Sequence, residues 1–317
     1  MKLHWIAILA AAAVALALRL PNLEQRPMHT DEAVHAVRLG DMLERGAYEY
    51  DPHDYHGPTM YYSTVPLAWL RGERTLAQLT ATTMRLVPLV FGVALVLLLL
   101  ASVNILGRAE AAWAALFTAV SPFLVYFSRY YIMEMLLVFF TFALLLAAWR
   151  YWQTGRIGWA IFAGVCVGLT HATKETCVIT WFSLAVALAV FWLIEPARPQ
   201  LRPMHLVAFL LPAAMVSAVL FSVFFTDWRG VPQSVLTYLN YAKRGQGSGH
   251  EQPWYHYLQL YSWHRAGKIL WTEAAIVLLA YIGIFRSFHE RLGFGRFLAI
   301  YTPVSYTHLT LPTNREV

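Results

Sequence analysis

Apolar residues in this chain come in long blocks separated by short polar turns. The blocks span residues 3–20, 78–106, 111–127, 132–149, 157–171, 176–194, 205–225 and 269–285, and another begins near Phe297. A helix that crosses a bilayer needs roughly 20 apolar residues. The pattern therefore predicts an all-α fold, a polytopic transmembrane bundle of eight or nine spans. Pro122 is expected to end or kink the third span, and Gly164 and Gly168 to thin the fifth. Two longer polar stretches, 21–77 and 227–268, interrupt the blocks and are read as large loops.

Composition agrees. Hydrophobic residues make up 58% of the chain and charged residues 13%, with a mean hydropathy of +0.49, whereas a soluble domain carries about 25% charged residues. The net charge of +6 is then first a topogenic signal, not a nucleic-acid footprint. With Lys2 inside, the inner loops hold Arg108, Arg150, Arg156, Arg198, Arg202, Arg286, Arg291 and Arg296. The opposite face holds Asp31, Glu32, Asp51, Asp54, Glu134, Glu175 and Asp227. The expectation is a multi-pass protein of the cell membrane, with a cytoplasmic N-terminus and outer loops at 21–77 and 227–268. Lys2 and the apolar run after it also fit a cleaved signal peptide, but the spans that follow favour an uncleaved anchor. Cys166 and Cys177 form neither a disulfide framework nor a metal motif.

The C-terminal residues break the pattern. Residues 304–313, Val-Ser-Tyr-Thr-His-Leu-Thr-Leu-Pro-Thr, interrupt an apolar run. They resemble the translation of a transposon-type sequencing adaptor. The expectation is a transmembrane domain over 1–303, truncated at its C-terminus, followed by a non-native tail over 304–317.

Candidate chemistry clusters on the outer face. Met28-His29-Thr30-Asp31-Glu32 follows the first span, and ionisable groups beside a membrane are costly and tend to be functional. A helix is expected from about Asp31 to Glu44, capped by Thr30 and stopped by Gly46. Acids in a first turn also serve the helix dipole with no further role, so spacing alone leaves both readings open. The same loop continues through Tyr48, Tyr50, Asp51, His53, Asp54 and His56-Gly57-Pro58 to Tyr61-Tyr62. Its tyrosines fit an interfacial belt or the wall of a sugar or lipid site. Its His and Asp spacings admit a divalent metal ion without being diagnostic. Ser128-Arg129 with Glu134 forms a second cluster, and His171-Ala172-Thr173-Lys174-Glu175 a third; the blander reading of the latter is a charged hairpin with an adjacent ion pair. A fourth, Lys243 to His264, carries glycines, Trp254 and Trp263. Its glycines suggest a mobile stretch, and its aromatics fit a sugar ring or lipid.

Taken in order, Met28-His29-Thr30-Asp31-Glu32-Ala33-Val34-His35-Ala36, His56-Gly57-Pro58 with Tyr61-Tyr62, Ser121-Pro122 with Phe127-Ser128-Arg129, and Ala172-Thr173-Lys174-Glu175 resemble the flippase activity-associated protein family. That family belongs to the type C (GT-C) membrane glycosyltransferases, together with the dolichyl-phosphate-mannose–protein mannosyltransferases. The resemblance runs from residue 1 to about 300. It implies a sugar donor linked to polyprenyl phosphate, a catalytic aspartate matched by Asp31, and a second acid matched by Glu134. The family usually has Asp where this chain has Glu134, and often a basic residue where it has Ile132.

On that reading Asp31 is the general base on an acceptor hydroxyl, in an inverting transfer to a glycan, lipid or protein. Arg129 and Lys174 are the candidates to meet the departing phosphate. His29, Glu32, His56 and Tyr61 would line the substrate loop, and Glu134 would orient the acceptor or share a metal ion. Two other classes stay open: a transporter or flippase component without covalent chemistry, suggested by Arg85 within a span, and an assembly partner whose loops only bind other subunits.

Overall fold

A computed structural model describes residues 3–53, 56–195, 202–244, 255–266 and 269–310. Asp54, Arg198, the glycine-rich stretch 245–250, Trp254 and residues 311–317 lie outside the described residues, and so do the expectations attached to them.

Helices make up most of each apolar block, because within lipid a backbone must satisfy its own polar groups. The helices are α1 (Leu3–Arg19), α2 (Thr30–Arg45), α3 (Thr59–Leu70), α4 (Ala81–Leu98) running on into α5 (Val103–Leu106), α6 (Arg108–Val120), α7 (Pro122–Phe127), α8 (Glu134–Thr154), α9 (Ile157–His171), α10 (Cys177–Ile194), α11 (Pro203–Phe221), α12 (Gly230–Arg244), α13 (His256–Ser262), α14 (Ala274–His289) and α15 (Gly293–Thr310). Between α13 and α14, β1 (His264–Ala266) and β2 (Ile269–Trp271) form a small antiparallel pair. The 81–106 run, α8, α10 and α11 are each long and apolar enough to cross a membrane; α1, α9 and α14 are shorter apolar helices.

Pro122 interrupts the third block by starting a helix. α6 ends at Val120, and Ser121 then caps α7, whose first residue is Pro122, where a missing N–H costs nothing. Gly164 and Gly168 do more than thin α9. A Cβ on Gly164 would run into the Phe209 carbonyl, and one on Gly168 into Val216 and the Ala213 carbonyl. Spaced four apart on one face, they let α9 lie directly against α11, a close approach that small residues give to packed membrane helices.

α8 and α10 run away from one end of the bundle, and α9 and α11 return to it. The start of α8, the α9–α10 turn and the end of α11 therefore meet the first loop at a single end. The core there contains Tyr48, Tyr50, Met60, Tyr61, Tyr131, Met133, Ala172 and Phe221. The loop tyrosines are thus interior: Tyr48, Tyr50 and Tyr61 are buried, where an interfacial belt would have left them facing lipid.

Candidate active site

α2 sets the first half of the site. Its N-cap is His29, one residue before the expected Thr30, because the imidazole supplies the acceptor. His29 Nδ1 accepts from the Asp31 amide at 3.4 Å, and the Glu32 carboxylate reaches back to the His29 amide at 3.2 Å. This reciprocal capping box fixes the first turn. Gly46 stops the helix as expected, with a φ of 73°.

The two acids of that turn have opposite surroundings. The Glu32 side chain is 1% exposed. It receives Arg85 Nε at 2.8 Å and Nη2 at 2.7 Å, Arg26 Nη2 at 2.9 Å and the Tyr131 amide at 2.9 Å. Burial pushes its carboxyl up, but the Arg85 hydrogen bonds, the two amides and the Arg85 charge outweigh it and hold it below the usual range. The Asp31 side chain is 58% exposed. Its Oδ2 accepts from the Tyr130 hydroxyl at 2.9 Å, and the same hydroxyl lies 2.6 Å from His29 Nδ1. One carboxylate is committed to the fold and its neighbour faces outward. Arg26 stacks over Tyr130, 4.8 Å from its ring centre, which brings a positive charge beside Asp31.

The second half is built by docking the first loop onto the α9–α10 turn. A Cβ at Gly57 would occupy the Ala172 carbonyl, so only glycine permits this approach. The Thr59 amide donates to that carbonyl at 3.0 Å, and the Thr59 hydroxyl bonds it as well. This register places His56 Nδ1 2.6 Å from Glu175 Oε2, while the Tyr50 hydroxyl donates to Glu175 Oε1 at 3.2 Å. Lys174 turns the other way and donates to Glu134 Oε1 at 2.9 Å. The 174–175 pair is therefore no adjacent ion pair; its two charges hold two different elements. Burial raises the Glu175 carboxyl, but the His56 hydrogen bond and charge outweigh it and keep it low. Glu134 Oε2 is buried and has no hydrogen-bond partner among the described residues.

His35, one turn beyond Asp31 on α2, links the halves. Its Nδ1 lies 2.8 Å from the Tyr61 hydroxyl, and its ring centre lies 6.0 Å from that of His56. Burial, with the His56 and Lys174 charges, pushes its pKa down to about 4, against the opposing charges of Glu134 and Asp31. These groups share one electrostatic neighbourhood at one end of the bundle.

Of the residues singled out from sequence, Asp31 and His29 thus meet at Tyr130, Lys174 meets Glu134, and His56 lies beside His35. Glu32 lies behind them on Arg85, and Tyr61 is wholly buried beneath His35. Arg129 faces elsewhere: it donates to the carbonyls of Leu18, Arg19 and Asn22, at 3.2, 3.2 and 3.3 Å, closing the C-terminus of α1. Tyr130, His35, Arg26 and Arg85 were not proposed as site residues from sequence. Position offered one signal, since His35 stands four residues after Asp31 and so on the same helical face. Asp51 and His53 form their own turn, the His53 amide donating to Asp51 Oδ1 at 2.9 Å. Among the described residues no three His, Cys, Asp or Glu side chains are grouped to hold a metal ion.

A family profile described as dolichyl-phosphate-mannose-protein mannosyltransferase matches residues 67–225, half of the chain. The chain belongs to that family. The match takes in Glu134, Lys174 and Glu175 but starts after Asp31 and His56; it names the mannosyltransferases of the same GT-C class and not the flippase activity-associated family that the motifs resembled. No curated protein matches. Among solved structures, the fold is similar to the Saccharomyces cerevisiae protein O-mannosyltransferase Pmt1-Pmt2 complex bound to its sugar donor, with a TM-score of 0.57, 17% identity and 72% of this chain covered. It is also similar to the Archaeoglobus fulgidus oligosaccharyltransferase AglB in complex with an inhibitory peptide and a dolichol-phosphate, with a TM-score of 0.58, 14% identity and 98% covered. The chain spans 34% and 49% of the length of those two structures. Fold and family together make it a multi-pass member of the GT-C class.

Proposed function

We propose that this chain is the catalytic part of a membrane glycosyltransferase that moves a sugar from a polyprenyl-phosphate carrier to a hydroxyl on a glycan, lipid or protein, at the extracytoplasmic face. The observation that carries the reading is the division of labour between adjacent acids. Glu32 is consumed by Arg85, while Asp31 is exposed and held at one oxygen by Tyr130.

In the proposed step Asp31 takes the acceptor proton as the acceptor oxygen bonds to the anomeric carbon. The bond from that carbon to the phosphate oxygen breaks on the far side, with inversion, and the carrier leaves as its phosphate. That leaving group is already acidic, so no second carboxylic acid is required, unlike glycoside hydrolysis. Lys174, and Arg26 in place of Arg129, are the cations suited to the phosphate. Glu134 Oε2, buried and without a partner among the described residues, is suited to accept a hydrogen bond from the acceptor. The likeness to donor-bound and dolichol-phosphate-bound enzymes supports the donor class. Arg85, one of the features that suggested a transport pathway, is buried in an ion pair and in bonds to loop carbonyls, which supports a structural role for it.

The test is transfer from radiolabelled polyprenyl-phosphate sugar by the purified full-length protein. Asp31→Asn is expected to abolish transfer while leaving donor binding intact; transfer that persists in this variant refutes Asp31 as the base.

A further inference from the structure

At the opposite end of the bundle from Asp31 the structure holds a cavity of about 1110 Å³. It lies between the C-terminal ends of α8 and α10 and the N-terminal ends of α9, α11 and α15. α8 has 21 residues, so the two ends are about 30 Å apart.

Its lining combines two chemistries. Arg202, Arg291 and Arg296 bring three positive charges against the single carboxylate of Glu195, which Arg296 Nη2 engages at 2.6 Å. Arg202 and Arg291 are exposed. Arg291 occupies a left-handed turn, with φ 53°, a conformation that favours glycine. The other wall is aromatic: Trp149, Trp152 and Phe191 stack edge to face, with Phe191 5.5 and 5.1 Å from the two indoles. Two donors in this wall, Trp149 Nε1 and Arg296 Nε, are buried with no hydrogen-bond partner among the described residues. The starts of α9 and α11 carry no side-chain cap, and uncapped helix N-termini attract anions. The C-termini of α8 and α10 oppose them, so the arginines decide the sign of the site.

We propose that this cavity binds the phosphate group of an anionic membrane lipid, with the lipid chain against the aromatic wall. Basic pockets between membrane helices recognise phosphate headgroups in this way. The site stands apart from Asp31 and its occupancy does not depend on the transferase reading.

The test measures binding to the purified full chain in detergent, by native mass spectrometry and by titration of tryptophan fluorescence. The probes are phosphatidylglycerol, a polyprenyl phosphate, phosphatidylcholine and inorganic phosphate. Phosphatidylglycerol or polyprenyl phosphate is expected to bind in preference to phosphatidylcholine, and the stronger of the two names the lipid class. The double variant Arg202→Gln/Arg291→Gln should weaken that binding about tenfold or more, whereas Arg202→Lys/Arg291→Lys should largely retain it. Arg108→Gln, an exposed arginine outside the lining, should change nothing, and an unaltered melting curve will show that each variant is folded. Equal binding of phosphatidylcholine, binding of inorganic phosphate without either lipid, or full affinity in the double glutamine variant would each overturn the proposal.

Discussion

Glu32 and Arg85 meet twice, Nε on Oε1 at 2.8 Å and Nη2 on Oε2 at 2.7 Å, with both side chains 1% exposed. Arg85 also donates to the Arg26 carbonyl at 2.9 Å, so the pair fastens the loop before α2 onto α4. Removing one partner of a buried pair costs about 3–5 kcal/mol. Glu32→Gln is therefore expected to lower the melting temperature sharply in detergent. Asp31→Asn, on an exposed side chain, should stay within about 0.5 kcal/mol of the parent. Equal melting of the two variants would remove the structural role from Glu32.

Tyr130 prepares Asp31. Its hydroxyl is the donor to Oδ2, and its other close neighbour is His29. Tyr130→Phe removes one hydrogen bond to a charged group, worth about 1.5–3 kcal/mol, without opening a cavity. If Asp31 is the base, kcat should fall about tenfold to a hundredfold, with a smaller change in KM. A variant with unchanged kcat would mean that Asp31 needs no such positioning.

Lys174 and Glu134 tie the α9–α10 turn to the head of α8. Lys174→Met leaves Glu134 Oε1 without its donor, and an unsatisfied buried polar group costs about 1–3 kcal/mol, more when charged. Glu134→Gln added to that background should recover part of the loss. A double-mutant cycle on thermal stability is expected to give a coupling of about 0.5–3 kcal/mol; additive effects would show that the contact contributes nothing.

The sequence carried the helical character of the apolar blocks plainly, because block length and apolar content depend on no tertiary contact; of the eight or nine spans expected, four helices among the described residues are long and apolar enough to cross a membrane. It also carried the end of α2, since Gly46 needs only its own backbone. The site was legible in part. Asp31 could be singled out from Glu32 only by resemblance, because what separates them is Arg85, 53 positions after Glu32 and inside a span. Lys174 and Glu175 read as a local pair because nothing local shows that Gly57 docks on Ala172 and draws His56 onto Glu175. Arg129 looked like a free cation in an outer turn, yet the carbonyls it caps belong to the far end of α1. The β1–β2 pair follows no apolar alternation long enough to see.

Gly164 and Gly168 yield a packing prediction. The replacement of either by Val would force a side chain into the α11 backbone, and overpacking costs about 1–3 kcal/mol or more. A Cβ at Gly168 meets the Ala213 carbonyl and the Val216 side chain, each at 2.7 Å, while one at Gly164 meets only the Phe209 backbone and meets it more closely. Gly164→Val should therefore be the more damaging, as judged by melting and by yield from membranes. Gly158, beside which a Cβ meets open space, is the control: Gly158→Ala should be neutral or slightly stabilising.

His35 makes stability depend on pH over a defined window. Its folded pKa, about 4, lies below its ordinary value of 6.5, so between those limits the unfolded chain binds a proton that the folded chain refuses. Stability then rises with pH wherever the unfolded state holds more protons. The contribution is complete above about pH 6.5, falls as the pH drops toward 4, and is constant below that. A depression of this size corresponds to about 3 kcal/mol at most. Glu32 and Glu175, both held low, add their own losses, but mainly at pH values below the ordinary carboxylate range. Melting temperatures measured from pH 4 to 7 should therefore slope upward in the parent chain and be flatter in His35→Asn. An unchanged slope in that variant would mean that His35 is not the group refusing the proton.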